Sequence, residues 1–317
     1  MKKILAIVLA AAMLLSMTAC GAAAKKDTYV VGICQLVQHD ALDAATKGFQ
    51  DALTEALGDK VSFEVQNASG ESVNCTTIIN GFVSSKVDLI MANATPALQA
   101  AASATSDIPI LGTSVTDYAS ALEIEDWTGT VGGNISGTSD LAPLDQQAAM
   151  IQELFPDAKN VGLLYCSAEA NSQYQVDEMT KYLTELGLTA TAFAFTDTND
   201  VASVTQAACD ASDVLYIPTD NTAASNTEAI ANVLVPAGVP AICGEEGICK
   251  GCGVATLSIS YYDLGVTTGK MAAKILTGEA DISEMPIEFT EATPKYNASM
   301  CETLGIEPLE GYTAIEE

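Results

Sequence analysis

The chain has 317 residues, 41 acidic and 13 basic, for a formal net charge of −28. That balance makes nucleic acid and anionic membrane surfaces poor partners and is read most simply as solubility. Every basic residue is lysine, so a ligand carboxylate or phosphate cannot be gripped by a guanidinium fork and must use helix N-termini, backbone N–H groups, hydroxyls, amides or a lysine.

Lys2 and Lys3 precede an apolar run to about Leu15, and small residues lead into Met17-Thr18-Ala19-Cys20. This is the layout of a secretory signal peptide, too short to cross a bilayer securely. Its end resembles a bacterial lipobox, in which Cys20 is lipidated and becomes the new N-terminus. We expect residues 1–19 to be the signal peptide and residues 20–27 a lipidated tether, small and charged. Loss of residues 1–19 leaves 298 of the 317 residues and removes Lys2 and Lys3, shifting the net charge from −28 to −30. That length suits two lobes.

From Tyr29 the chain alternates strand and helix signals. Strands are expected at 29–34, 61–66, 87–92 and 108–112, with helices at 40–57, 71–84 and 95–105. In the first helix Leu42, Ala45, Phe49, Ala52, Leu53 and Ala56 recur near 3.6 spacing. Glycine and proline punctuation near 132–143 and 286–294 suits hinge segments. The pattern then restarts: helices at 141–155, 171–186, 201–208 and 224–235, and strands at 160–166, 188–195, 213–217 and 239–243. A strand at 253–260, a helix at 262–276, a short strand at 287–289 and a helix at 294–304 close the chain. Two βαβαβ runs in series predict an α/β fold of two Rossmann-like lobes with parallel sheets. We divide them as 28–140 plus 262–288 for the first lobe and 141–261 plus 289–317 for the second.

Eight cysteines follow Cys20. Cys34, Cys166 and Cys243 sit in apolar strand-like runs, where cysteine behaves as a small hydrophobe. Cys249-Lys250-Gly251-Cys252 is a CxxC without a second ligand pair, so no metal is expected; free thiols are favoured over a disulfide there.

Ligands of open parallel sheets bind beyond the carboxyl ends of the strands. Candidate residues at those ends are Gln35, Gln38 and His39; Asn93 and Thr95; Thr113 and Ser114; Ser167, Asn171 and Ser172; Asp220 and Asn221; and Glu245. None is a lysine. A cleft so lined suits a ligand with an ammonium and several hydrogen-bonding groups. Each residue also has a plainer role: Thr95 and Asn171 as helix N-caps, Asp220 and Asn221 as an Asx turn, His39 as a polar loop residue.

The segments GICQLVQHDALDAATKGF (32–49), ANATPA (92–97), TSVTD (113–117), YCSAEANSQ (165–173), PTDN (218–221) and the stretch 244–265 ending in YYDLG together resemble the ABC transporter substrate-binding lipoproteins of the TrpX-like family. The resemblance implies a type I periplasmic-binding-protein fold with three crossovers. It also implies closure on ligand and delivery to a permease driven by a separate ATPase. It points to an amino acid, preferentially aromatic (Trp, Phe or Tyr), and to a monomeric binding protein rather than an enzyme, without cofactor. The ligand carboxylate would meet the helices starting near Thr95 and Asn171, with Ser167 and Ser172 hydroxyls. The ammonium would pair with Asp220, with Glu245 in reserve, while Gln35, Gln38 and His39 shape the side-chain pocket. Two alternatives stay open: a sugar or nucleoside receptor on the same fold, disfavoured by 6% aromatics and a single Trp127, and a secreted hydrolase, disfavoured by one histidine and no G-x-S-x-G elbow.

Overall fold

The structure, a computed structural model, describes residues 28–316. The expected signal peptide, Cys20 and the whole of the 20–27 tether lie outside the described residues.

The first lobe begins with β1 (Tyr29–Gln35), buried except at Val30. α1 (Asp40–Leu57) buries Leu42, Ala45, Phe49, Ala52 and Leu53 along one face, and Gly58 closes it at φ 58°. β2 (Val61–Asn67), α2 (Ser72–Ser85), β3 (Leu89–Asn93), α3 (Thr95–Ala104), β4 (Ile110–Val115) and the single turn α4 (Tyr118–Ala121) follow. Alternation along the strands sorts side chains onto two covered faces. Val31 and Ile33 of β1 join Leu89 and Met91 of β3 beside Phe49 and Leu53 of α1. Cys34 joins Ile90 and Ala92 under Phe82 of α2 and Leu98 of α3. Gly32 faces that second layer because a Cβ there would fall 2.6 Å from the Phe82 ring.

The segment expected as hinge contains a strand, β5 (Ile135–Ser139), buried at all five positions and paired parallel to β4. Its sequence, ISGTS, has one apolar side chain, so hydrophobic alternation does not reveal it; its burial comes from neighbours. The second lobe holds α5 (Leu144–Leu154), β6 (Asn160–Cys166), α6 (Ala170–Glu185), β7 (Thr189–Phe195), α7 (Val201–Ala211) and β8 (Val214–Ile217). The helix expected at 224–235 is two: α8 (Asn221–Ala224) and α9 (Thr227–Ala237). Asn226 marks the break, donating through Nδ2 to the Thr222 carbonyl at 2.7 Å. After β9 (Ala241–Cys243) the CxxC lies in a helix, α10 (Glu246–Cys252), rather than in a loop, and all eight described cysteines are free and buried.

β10 (Ala255–Ile259) ends the run, and α11 (Tyr261–Thr277) returns to the first lobe. There it crosses α1 so closely that a Cβ on Gly265 would lie 2.0 Å from the Ala45 carbonyl oxygen, and one on Gly48 2.1 Å from that of Tyr262. β11 (Glu288–Phe289) pairs with β5. The helix expected over 294–304 is instead β12 (Ala292–Tyr296) followed by α12 (Ala298–Leu304), because Asn297 caps the helix by accepting from the Met300 N–H. β13 (Thr313–Ala314) ends the second sheet.

The sheets have the orders β11-β5-β4-β3-β1-β2 and β13-β12-β10-β9-β8-β6-β7. Among the described residues every pairing between these strands is parallel but one: β12 runs antiparallel to β10, which corrects the expectation of wholly parallel sheets. The chain passes between the sheets three times, after β5, after β10 and after β11.

Candidate functional site

The carboxyl ends of both sheets converge on one narrow cavity with about 10 Å³ of free space. His39 and Leu42 enter from beyond β1, Ser114 from β4, Thr116 from just after it and Asp140 from the residue after β5. From the other side come Asn171 after β6; Thr219, Asp220, Asn221 and Ala224 after β8; Glu245 after β9; and Tyr261 after β10.

Of the candidates, His39, Ser114, Asn171, Asp220, Asn221 and Glu245 line this cavity. Gln38 lies with His39 in an adjoining groove. The others are engaged elsewhere. Gln35 donates to the Val37 carbonyl and Asp43 and accepts from Thr46. Asn93 donates to the Leu42 carbonyl and Thr46. Thr113 bonds Thr138, and Ser167 bonds the Phe195 carbonyl from an exposed position. Ser172 is fully buried and accepts from Asn171 Nδ2. Thr95 opens α3, its hydroxyl buried without a partner. Neither Thr95 nor Asn171 is an N-cap: Ala94 and Glu169 hold those positions.

The lining is acidic. No lysine lines the cavity, yet three carboxylates do, all at most 3% exposed. Asp220 caps α8, taking the Ala223 N–H at 2.8 Å on one oxygen and the Cys166 N–H at 2.7 Å on the other. Burial, then the nearby Glu169 charge, pushes its carboxyl up to about 7, against the pull of those two N–H donors. Glu245 caps α10 by accepting from the Gly247 and Ile248 N–H groups, and burial pushes it to about 7 as well. Asp140 accepts from Thr116 Oγ1 at 3.0 Å and from the Tyr261 hydroxyl at 2.9 Å. Burial moves it to about 6 while the two hydroxyls resist.

Two orphans share the cavity wall. Ser114 Oγ and Asn171 Oδ1 are buried without a hydrogen-bond partner, and such groups in a folded protein call for an explanation. Ser114 is also held at φ 54°, where the β4–β5 register shifts between Gly112 and Val115; strained backbone of this kind clusters at ligand sites. The lobes touch directly across the mouth, where His39 Nε2 lies 3.3 Å from Asn221 Oδ1. Burial lowers the His39 pKa, against the opposing effects of Asn221, Glu169, Asp43 and Asp40. Behind Asn221, Glu169 accepts from the N–H groups and side chains of both Asn221 and Thr222.

Sequence reasoning missed Asp140 and Tyr261 as site residues. Both follow strand ends, but β5 was hidden in a hinge segment and Tyr261 falls on the second crossover. Thr116 and Thr219 stood at recognised strand ends without being chosen. Leu42 and Ala224 carried no signal beyond helix periodicity.

A family model described as ABC transporter substrate binding protein matches residues 30–310. The tyrosine-binding protein of Clostridioides difficile (strain R20291) is 35% identical over 266 residues, 83% of this chain and 76% of that protein. The ABC domain from Streptococcus pneumoniae solved in complex with L-Trp superposes with a TM-score of 0.86 at 33% identity, covering 91% of this chain and 100% of that one. The ligand-free, open structure of a substrate-binding protein with adhesive properties from Clostridium difficile gives 0.70 at 34% identity, covering 91% and 99%.

Proposed function

The chain belongs to the ABC transporter substrate-binding proteins, a non-enzymatic family of the type I periplasmic binding fold, and from this we propose that it captures one aromatic amino acid outside the cytoplasm and hands it to a permease. The observation that carries the reading is the cavity: three buried carboxylates, no cation, and orphaned polar atoms between two apposed lobes. Buried charge is tolerated only when paired. An α-ammonium supplies the missing positive charge, and the polar hydroxyls and amides around it can take a carboxylate. Relatives that bind tyrosine or are solved with L-Trp support the aromatic class.

Capture follows from contacts to both lobes. A ligand touching His39, Ser114 and Asp140 on one side and Asn171, Asp220 and Glu245 on the other stabilises the closed arrangement by its differential affinity. The closed surface is then what the permease, driven by its ATPase, would recognise.

We further propose that Cys20 carries lipid and that residues 20–27 tether the body, as a monomer, beside its transporter. The support is Lys2 and Lys3, the apolar run to Leu15 and the Met17-Thr18-Ala19-Cys20 end. A Cys20→Ala chain that stays in the membrane fraction and still takes up labelled palmitate would overturn this.

The direct test is a thermal-shift screen of unfolded and refolded protein against the amino acids, with sugars and nucleosides as controls; refolding removes any copurified ligand. A shift with Trp, Tyr or Phe is expected. A shift with sugars or nucleosides alone would overturn the reading.

A further inference from the structure

We propose that Asp140, on the first crossover, is the residue that recognises the ligand's ammonium and makes the site selective for primary amines, a proposal that rests on the amino-acid reading above. Three carboxylates compete for this role, and their bonding separates them. Both oxygens of Asp220 are occupied by backbone N–H groups, those of Ala223 and Cys166, and both oxygens of Glu245 by those of Gly247 and Ile248. Ala223, Gly247 and Ile248 are fixed donors in the first turns of α8 and α10, and Cys166 is fixed at the end of β6, so turning either carboxylate away from them would uncap a helix. Asp140 caps nothing. Its donors are the Thr116 and Tyr261 hydroxyls, which rotate and leave the carboxylate's remaining lone pairs free for a third donor.

Position favours Asp140 as well. It directly follows β5 at the first crossover, and its hydroxyl partners come from the end of β4 and from the second crossover at Tyr261. It therefore touches the segments that link the lobes. Across the same cavity, Asn171 Oδ1 is buried without a donor. The Asn171 Nδ2 is already spent on Glu169, Ser172 and the Thr219 carbonyl, which sets the amide orientation. An acceptor-only amide oxygen and a carboxylate facing one cavity make a receptor for an N–H-rich cation.

The test compares wild type with Asp140→Asn by titration calorimetry against L-tyrosine, L-tryptophan, tyramine and 3-(4-hydroxyphenyl)propionate, which lacks the amine. Asp140→Asn should weaken the amino acids and tyramine about 100-fold, the scale of stranding a buried charge, and leave the propionate within about threefold of wild type. Equal loss for all four ligands would mean a structural role and overturn the proposal, as would no loss. If Asp140→Asn does not fold, Asp140→Glu decides: it keeps the charge but moves the carboxylate, so the amino acids and tyramine should weaken more than the propionate, and an equal loss for all four or no loss overturns the proposal. With L-leucine added as a non-aromatic amine, a wild-type preference for it that is lost in Asp140→Asn would refute the aromatic assignment and keep Asp140. Failure of wild type to bind any primary amine would overturn both.

Discussion

His39 and Asn221, 182 residues apart, meet across the mouth of the cavity with Nε2 3.3 Å from Oδ1. His39 is the chain's one histidine, and this contact bridges the two lobes directly. If the lobes open and close on ligand, this contact is made only when they are together, which ties closure to one side chain on each lobe.

His39→Ala should weaken ligand binding by about 1 kcal/mol, the net worth of one hydrogen bond, roughly a fivefold rise in Kd. Small-angle scattering of the ligand-free protein should show a more extended particle than wild type. An unchanged Kd and profile would mean that the contact only accompanies closure.

Acidity should stabilise the ligand-free protein. Asp140, Asp220 and Glu245 are pushed up to about 6, 7 and 7 from ordinary values of 3.8, 3.8 and 4.5. Between roughly pH 4 and 7 the folded state then holds more protons than the unfolded chain, so stability falls as pH rises through that window. His39 works the other way: its lowered pKa means that the folded state resists protonation, a loss felt below its ordinary 6.5. Three carboxylates outweigh one imidazole. Thermal scans should give a higher Tm at pH 5 than at pH 8 without ligand, and a smaller difference with saturating ligand. Equal Tm values at the two pH values would contradict this.

Glu169→Ala should cost about 3 kcal/mol in denaturant unfolding, since it strands donors of Asn221, Thr222 and Asn171 around a buried site. Because Glu169 holds the α8 start that carries Asn221, ligand affinity should fall with it. A stability loss without an affinity loss would separate the two roles.

Gly265→Ala should destabilise by at least about 1–3 kcal/mol through overpacking, because the new Cβ would fall 2.0 Å from the Ala45 carbonyl oxygen. An exposed control, Gly81→Ala, meets nothing within 4 Å and sits in α2 without positive φ; it should be neutral or slightly stabilising. This close crossing gives the YYDLG segment its physical reason.

Thiol reagents should leave the folded body unlabelled. All eight described cysteines are buried and free, and Cys252 donates its S–H to the Ile248 carbonyl within α10. Eight thiols should react in denaturant without reductant in a body truncated after Cys20. Fewer than eight would reveal a disulfide.

Where hydrophobic periodicity was strong, the sequence matched the structure closely: 40–57 and 160–166 are the bounds of α1 and β6. It failed where side-chain pattern carried little information. ISGTS becomes a buried strand only because β4 and β11 flank it. Residues 292–296 pair with β10 although proline and lysine sit among them. The candidate site was partly legible for the same reason. Strand-end logic finds His39, Ser114, Asn171, Asp220, Asn221 and Glu245, and it misses Asp140 because the strand before it was not recognised.

Sequence alone was enough to determine an α/β chain of two lobes, an excess of acid with no arginine, and polar groups at successive strand ends. Those properties depend on residue type and local spacing. Only the tertiary structure decided which carboxylates share a cavity, which are committed to helix caps, and that Asp140 is held by hydroxyls between two crossovers. Such facts depend on where distant segments meet, and spacing along a chain does not encode the distance between Asp140 and Tyr261.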